Sequence, residues 1–278
     1  GIYERLNLEP GRKQLIVGDG YHFDVGSGFG GKFAPPRLDV LERAWFDRWL
    51  KGHANGVEHY GPVTLRQQGG TWTAGQSFPR NGVTPRRLYL SNECSSSAEH
   101  CVHDGALQST PCAEHTSLHV RADVRGIISR DMTQVTAGAT MALGKHFTAD
   151  ARFQERGALA FTSDPVTEAT PISGSMNLRL NVATTAHEAI WAVTVNDVAP
   201  DGTSKVLTNG ALSASNRALD PSQSTYASDG SLVGAHHFLS RKRKLPVPPD
   251  APVRIDVDLV PTDAVLEPGH RLRVNVYA

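Results

Sequence analysis

Apolar and polar residues alternate in three runs of the C-terminal half, and this pattern restricts the fold more than any other feature. The runs are SMNLRLNV at 175–182, RIDVDLV at 254–260 and HRLRVNV at 270–276. Because successive side chains of a β-strand point to opposite faces, each run predicts a strand with one apolar and one polar face. Such strands are typical of a sandwich in which each sheet has one face in the core and one face in solvent.

Turn-forming residues separate the predicted strands. Pro200, Asp201 and Gly202 follow the strand-like run IWAVTV at 190–195 and predict a hairpin. The 26 glycines and 17 prolines are spread along the 278 residues, which suits many short strands better than a helical bundle. The predicted fold class is therefore mainly β.

The first 57 residues have a different pattern. RKQLIVG at 12–18 predicts a short, buried strand of the parallel kind, and a glycine-rich loop follows it. A helix then ends at Gly52, and four residues at helical spacing mark its core-packing face: Leu38, Leu41, Trp45 and Trp49. Strand, loop and helix in this order are an α/β arrangement, in which functional groups lie beyond the carboxyl end of the strand. We therefore predict two parts, residues 1–57 and a β domain at 58–278.

Residues 91–150 interrupt this β domain with an irregular and polar sequence. Loops longer than about 15 residues are uncommon inside compact domains and are often functional when they occur. We predict that this segment is a long insertion over the surface.

Composition and charge exclude several classes of protein. Lys plus Arg balances Asp plus Glu at 28 each, so a nucleic-acid partner is not expected. No apolar run approaches the roughly 20 residues that span a bilayer, so we predict no membrane partner, and RKRK at 241–244 is interpreted as a solvated loop. The first residues resemble neither a signal peptide nor a natural start, so the chain is expected to be cut from a longer protein. A homo-oligomer is left open.

Three cysteines, Cys94, Cys101 and Cys112, fall within one polar stretch of the predicted insertion. One disulfide and one free thiol are the simplest expectation, and they slightly favour an extracellular or cell-envelope location over the cytoplasm. A zinc site with nearby histidines is the alternative, but the cysteine spacings match no zinc-finger or ribbon pattern, so no metal is predicted. Those histidines are His103, His115 and His119.

His22 is the candidate catalytic residue. It lies in the glycine-rich loop directly after the first predicted strand, where an imidazole can be both exposed and held in place. Acyl transfer by a triad needs a nucleophile, a base and an acid that orients the base. The nucleophile pattern G-x-S-x-G occurs nowhere in the 278 residues, so a complete triad is not encoded here.

RKQLIVGDGYH at 12–22 resembles the strand and loop that carry the catalytic histidine in serine hydrolases of the cocaine-esterase and X-prolyl-dipeptidyl-peptidase family. Gly18 matches the glycine of that family and His22 takes the place of its histidine, whereas Asp19 and Gly20 stand where proline and tryptophan are usual. The resemblance covers most of the chain apart from residues 91–150. Its other blocks are WFDRWLKG at 45–52, TWTAGQSFPRNGVTPRRLYL at 71–90, ALAFTSDPVTEATPISGSMNLRLNV at 158–182 and LEPGHRLRVNV at 266–276.

The resemblance implies a fold and a function. It implies that residues 1–57 are the last strand, histidine loop and helix of an α/β-hydrolase domain, joined to a jelly-roll β-sandwich. The family hydrolyses esters and amides, including cocaine, α-amino-acid esters, β-lactam side chains and X-prolyl peptides, by a Ser-His-Asp mechanism without a cofactor. In such relatives the serine and aspartate precede the histidine by more residues than this chain has before His22. The expected partners are therefore an N-terminal catalytic segment of the same protein and a small-molecule ester, amide or peptide substrate.

A non-catalytic module is the alternative reading of the function. A jelly-roll domain that binds carbohydrate would share the predicted β-sandwich. It would not need the strand, histidine loop and helix that open the chain. Because those elements are present, the sequence favours the interpretation that the chain is part of a serine hydrolase over that of a binding module. We predict that the isolated chain is inactive.

Overall fold

The computed structural model describes residues 3, 6–18, 26, 28–67, 71–113, 116–123, 125 and 150–278. His22, Asp19, Gly20 and His115 lie outside the described residues. The chain divides into two compact units. Unit 1 comprises Gly1–Val83, Pro171–Gly174 and Asp263–Val265, and unit 2 comprises Thr84–Thr170, Ser175–Thr262 and Leu266–Ala278. None of the helices in the described ranges has the length and apolar character that a bilayer crossing requires.

Unit 1 contains a three-stranded sheet and one long helix. The strands are β1 (Leu15–Val17), β2 (Val63–Arg66) and β3 (Trp72–Gly75), and the helix is α1 (Leu38–Lys51). The sheet order is β1-β2-β3, with β1 parallel and β3 antiparallel to β2. Two short 3-10 helices, Pro10–Arg12 and Val57–Tyr60, flank these elements.

The first predicted strand forms, and its pairing is parallel as predicted. Leu15 pairs with Val63 and Val17 with Leu65. The prediction that the strand is buried is wrong for the described residues, because Leu15 and Ile16 are half-buried and Val17 is 46% exposed. In this chain β1 is an edge strand, so one of its sides has no neighbouring strand in the described part of the sheet.

Helix α1 follows the predicted pattern. Leu41 is buried, Trp45 and Trp49 are half-buried, and their ring centroids lie 5.7 Å apart. The predicted stop at Gly52 is confirmed, since Gly52 adopts the left-handed conformation with φ 75° and its N–H donates to the carbonyl of Asp47. The prediction of core packing is confirmed for Leu41 alone, because the two tryptophans are only half-buried and the guanidiniums of Arg12 and Arg48 lie over the Trp49 ring.

Unit 2 is built from two layers of strands. The larger sheet has the order β4-β5-β6-β13-β8-β9; β5 and β6 are parallel and the other neighbours antiparallel. In the second layer β7 pairs with β12, and β10 with β11 form a separate small ribbon. The strands are β4 (Tyr89–Ser91), β5 (His103–Gln108), β6 (Leu159–Thr162), β7 (Thr170–Val182), β8 (Ile190–Val198), β9 (Ser204–Ser213), β10 (Thr225–Tyr226), β11 (Leu232–Gly234), β12 (Val253–Leu266) and β13 (Arg271–Tyr277).

The alternating runs pack as predicted on one side. Ile255, Val257 and Leu259 of β12 are buried in one apolar core together with Val274 and Val276 of β13. Met176, Leu178 and Leu180 of β7 pack against the same core. The chain is therefore mainly β, with an apolar core shared by two layers.

The predicted hairpin is also confirmed. β8 and β9 are antiparallel, and the Thr203 N–H donates to the Asp201 carboxylate at 2.9 Å in the turn between them. Gly202 has φ 83°, a conformation that glycine adopts without strain.

The prediction that residues 91–150 form only an irregular surface segment is wrong for their first part. Strand β5 lies inside the larger sheet, and its Leu107 belongs to the apolar core. The sequence pattern did not predict this strand, because its inward position is occupied by Gly105, which has no apolar side chain. A Cβ there would lie 2.6 Å from Cδ1 of Phe161, so the packing requires glycine. Residues 126–149 lie outside the described residues.

The expectation of one solvated face per sheet is wrong for the larger sheet. The polar positions of β13, Arg273 and Asn275, are 1% and 0% exposed. A short helix, α2 (Arg152–Glu155), brings Glu155 against this face. Around β13 both faces of the sheet are therefore buried, one by apolar packing and the other by hydrogen bonds.

Candidate functional site

The structure describes the frame of the loop that carries His22, although His22 itself lies outside the described residues. The loop leaves the carboxyl end of β1 at Gly18, and the described chain resumes at Gly26 and Gly28. In sheets with parallel strands, functional groups gather beyond the carboxyl ends of the strands. The role of His22 stays a prediction, and the frame of the loop consists of the described residues at its two ends.

Trp72 of β3 contacts both ends of the loop. At the start, a Cβ on Gly18 would lie 2.7 Å from Cη2 of Trp72 and 2.5 Å from Cε2 of Phe29. At the end, the Trp72 Nε1–H donates to the carbonyl of Gly28 at 3.3 Å, and the rings of Phe29 and Trp72 meet edge to face with centroids 4.9 Å apart. The two aromatic rings therefore hold the loop ends together, and only glycine fits at position 18.

The second half of the loop leads into α1 through a tight turn. The Gly30 N–H donates to the carbonyl of Pro35 at 2.7 Å, and Pro35 is buried. Gly28 and Gly30 have φ of 85° and 77°, which side chains other than glycine rarely adopt. The guanidinium of Arg66 lies directly over Gly28, which leaves no space for a Cβ. The glycine-rich composition of the loop thus has a steric cause in its described part.

Helix α1 is fastened to the elements on either side of it. Arg48 forms an ion pair and hydrogen bond with Glu58, which holds the pKa of the Glu58 carboxyl below its ordinary value. The Asn55 amide donates to the carbonyl of Ala44 at 2.6 Å, and the Gln14 amide donates to the carbonyl of Val57 at 2.9 Å. The start of β1, the helix and the 3-10 turn after it are therefore one connected framework.

An ion pair between Arg80 and Asp263 forms a clamp within unit 1. Arg80 donates two hydrogen bonds to the Asp263 carboxylate, at 2.7 and 2.6 Å, and a third to the hydroxyl of Thr73 on β3. Its own backbone N–H donates to Ser173 Oγ at 3.1 Å. The hydrogen bond to Asp263 raises the pKa of Arg80. A bidentate pair with a nearly buried carboxylate fixes geometry strongly, so the clamp ties β3 to the segments at 171–174 and 263–265 of the same unit.

Unit 2 contains a buried polar cluster that the sequence did not indicate. Arg273 donates to the Glu155 carboxylate at 2.7 Å, to Thr162 Oγ1 at 2.9 Å and to the carbonyl of Ser97 at 2.5 Å. The other carboxylate oxygen of Glu155 accepts from Ser204, Asn196 and Asn275, at 2.5, 3.2 and 3.3 Å. Every charge in this Glu155 cluster is matched by hydrogen bonds, and the cluster is closed to solvent. Its function is structural.

All three cysteines are free thiols, so the expectation of one disulfide is wrong. Cys94 lies 3.3 Å from an Asp104 carboxylate oxygen, Cys101 donates to the carbonyl of Ala98 at 3.0 Å, and Cys112 donates to Ser91 Oγ at 2.9 Å. Burial, and after it the Asp104 carboxylate, raises the pKa of Cys101 to about 11, which makes this thiol a poor nucleophile. No metal-holding group of three His, Cys, Asp or Glu side chains occurs in the described ranges.

Two other histidines have structural partners. The His270 ring lies 2.7 Å from an Asp197 carboxylate oxygen and joins the turn before β13 to β8. The His237 ring lies 2.7 Å from the carbonyl of Asp256, while the neighbouring His236 is exposed. Neither contact places a nucleophile beside the imidazole.

Comparison with known proteins identifies the class to which this architecture belongs. Residues 55–278 match the model of the X-Pro dipeptidyl-peptidase C-terminal non-catalytic domain, and the chain belongs to this family. This confirms the resemblance found in the sequence. The boundary predicted after residue 57 and the role of His22 stay predictions.

Similar proteins and structures include several hydrolases. Two proteins, from Mycobacterium bovis and Mycobacterium tuberculosis, are provisionally named serine esterases and are each 25% identical over 244 residues. That match covers 84% of this chain and 34% of each relative, so the chain spans about a third of their length.

Three solved structures share the fold. A CocE/NonD family hydrolase from Staphylococcus aureus has a TM-score of 0.56 at 20% identity, covering 86% of this chain and 37% of that one. An α-amino acid ester hydrolase has a TM-score of 0.59 at 19% identity, covering 85% and 36%. An aminopeptidase from a Thaumarchaeota archaeon of marine sediment has a TM-score of 0.60 at 16% identity, covering 95% and 42%.

Proposed function

We propose that this chain is the C-terminal part of a serine hydrolase that cleaves ester or amide bonds, including X-prolyl peptide bonds. In this proposal it supplies His22 and a jelly-roll accessory domain, and an N-terminal segment of the same protein supplies the serine and the aspartate. The observation that carries the proposal is the frame of the His22 loop. Its two ends are braced by Trp72 and Phe29 at the carboxyl end of β1, where a catalytic imidazole would need a fixed position.

The exposed apolar surface of unit 1 supports a missing catalytic segment. Parallel strands are found covered on both faces, yet Val17 of β1 is 46% exposed. On α1, Leu50 is 77% and Phe46 57% exposed, on the side of the helix next to the two half-buried tryptophans. Large apolar side chains on a strand and helix of the α/β kind fit burial against further parts of an α/β-hydrolase sheet.

The proposed mechanism follows from the triad logic. The serine of the N-terminal segment attacks the acyl carbon while His22 takes its proton, and His22 then passes that proton to the leaving group. The aspartate orients the imidazole. General acid-base action of this kind contributes about 10²- to 10⁴-fold in rate. In this proposal the described frame fixes the two ends of the loop and takes no part in the proton transfers.

The proposal is tested by comparing turnover of an activated acyl ester by two forms of the protein. The isolated 278-residue chain should hydrolyse the ester no faster than buffer, whereas the product of the complete reading frame should turn it over and react with a fluorophosphonate. Comparable turnover by the isolated chain would contradict the proposal. A complete product that is inactive, but that binds a saccharide through residues 84–278, would instead favour the carbohydrate-binding module.

A further inference from the structure

Four consecutive basic residues, Arg241–Lys244, form a turn on the surface of unit 2. All four side chains are exposed, and the first three form a 3-10 helix that Ser240 caps by accepting from the N–H of Lys242. The chain as a whole has a formal net charge of 0, and its sequence contains no Asp or Glu at 230–249. The turn is therefore a local concentration of positive charge on a neutral protein.

Exposed leucines flank this basic turn. Leu239, just before it, is 84% exposed, and Leu245, just after it, is exposed as well. The neighbouring Phe238 is held by the Arg243 guanidinium, which lies 4.8 Å from the centre of its ring. Leu239 lacks such cover, so burying its side chain in an apolar environment would be favourable.

The backbone on both sides of the turn is fixed. The N–H of Leu245 donates to the carbonyl of Ser215 at 2.9 Å, and the N–H of Phe238 donates to the carbonyl of Ala218 at 2.9 Å. The Arg217 guanidinium donates to the carbonyl of Pro246 at 2.8 Å. The backbone on both sides of the turn is therefore hydrogen-bonded to neighbouring segments, which reduces the backbone entropy lost when the turn binds.

Carboxylates near this surface already have partners. Glu188 accepts from the N–H and the hydroxyl of Ser215, and the Asp256 carboxylate accepts from Arg179 at 2.8 Å. Within the part of the chain that the structure describes, no ion pair joins Arg241–Lys244 to an acidic side chain. Arg217 and Arg254 lie around a shallow depression whose apolar lining is Leu219, Leu245 and Val253, and Arg254 pairs with the Asp256 carboxylate of the same depression at 3.9 Å. Among the described residues the positive charge of the turn is therefore only partly balanced, by the electrostatic interaction of Lys244 with Glu188.

We propose that this surface, Leu239–Leu245 with Arg217 and Arg254, docks the protein onto an anionic lipid bilayer. The cations would lie against the lipid phosphates, and Leu239 would insert between the headgroups. A nucleic acid would pair with the cations but would give Leu239 no apolar environment. This peripheral contact replaces the interpretation of RKRK as a merely solvated loop, and it differs from a membrane-spanning helix in needing only one face of the protein.

The test is co-sedimentation of the 278-residue chain with lipid vesicles. We expect binding to vesicles that contain phosphatidylglycerol, no binding to pure phosphatidylcholine, and loss of binding at about 0.5 M salt, because screening shortens the reach of charges to a few Å. Replacing Lys242→Glu together with Lys244→Glu should weaken binding roughly thirtyfold or more. Leu239→Ser should weaken it about threefold to tenfold without changing its salt dependence.

A matched control distinguishes binding through this surface from an effect of the net charge of the chain. Arg86→Glu with Arg121→Glu makes the same change in net charge at two exposed arginines elsewhere, and it should leave vesicle binding within about twofold of the unchanged chain. Circular dichroism checks that every variant is folded. Equal losses in the control, or no binding to phosphatidylglycerol vesicles, would overturn the proposal. Full binding by Leu239→Ser would overturn it too, because the surface would then be an electrostatic site for an acidic macromolecule.

Discussion

Replacing Glu155 by glutamine should destabilise unit 2 more than any substitution of a surface charge. Glu155 is 5% exposed and is the only carboxylate that hydrogen-bonds to Arg273 in the described structure. The glutamine would leave the Arg273 guanidinium, 1% exposed, as a buried charge without a counter-charge, and would set an N–H group against donors from Ser204, Asn196 and Asn275. Removing one partner of a buried ion pair costs about 3–5 kcal/mol.

The size of this effect makes it easy to measure. For a protein of this size the expected loss lowers the midpoint of thermal unfolding by roughly 6 to 20 °C. The exposed pair Arg37–Asp39, with N and O atoms 3.0 Å apart, supplies the matched control, and Asp39→Asn should change stability by less than about 1 kcal/mol. The double variant Glu155→Gln, Arg273→Met should lose less than the sum of its single changes, because the unpaired charge is gone. Urea unfolding followed by circular dichroism measures the stability of five proteins: the unchanged chain, Glu155→Gln, Arg273→Met, the double variant and Asp39→Asn. Equal midpoints for Glu155→Gln and Asp39→Asn would contradict the structural role assigned to the cluster.

Two further predictions concern the loop frame and the thiols. Gly18→Ala should destabilise unit 1 by about 1–3 kcal/mol, because the new methyl group meets Phe29 and Trp72, whereas Gly11→Ala meets nothing within 4 Å and should be nearly neutral. Thermal unfolding followed by tryptophan fluorescence measures both, and equal shifts would contradict the bracing role of Trp72. Cys101 should react with iodoacetamide at pH 8 about 100-fold more slowly than an ordinary thiol, because a pKa of about 11 leaves roughly 0.1% of it as thiolate. Mass spectrometry of labelled peptides, with the exposed Cys94 as reference, measures the rates. Equal labelling, or a Cys101 rate that does not rise between pH 8 and pH 10, would show that this thiol is not shielded.

The periodicity of apolar residues predicted the strands and the helix that bury one apolar face. The runs around Met176, Ile255 and Val274 became strands whose apolar sides share one core, as alternation requires. Helix α1 was predictable for the same reason, and Gly52 ends it by local backbone chemistry. These features depend on residues close together in sequence, which is why the sequence alone reveals them.

Features that depend on distant partners were missed. Arg273 and Asn275 look like solvent-facing residues in the alternation, and only the approach of Glu155, more than a hundred residues earlier, makes them buried. Strand β5 has no alternating apolar pattern in the sequence, because its inward position Gly105 has no side chain. The expected disulfide does not form, because Cys101 and Cys112 each hydrogen-bond to another neighbour in the fold. The glycine-rich loop was recognised, but its brace, Trp72, lies on a strand 44 residues away from Gly28.

In the proposed mechanism the imidazole of His22 acts as the base of an acyl-transfer site. The most direct test of this role is fluorophosphonate labelling and ester turnover of the product of the complete reading frame, with His22→Ala set beside His53→Ala, a change at an exposed histidine just after α1. We expect His22→Ala to lose labelling and turnover by about 10²-fold or more, on the order expected for a general base, while His53→Ala keeps both. Unchanged labelling and turnover in His22→Ala would contradict it.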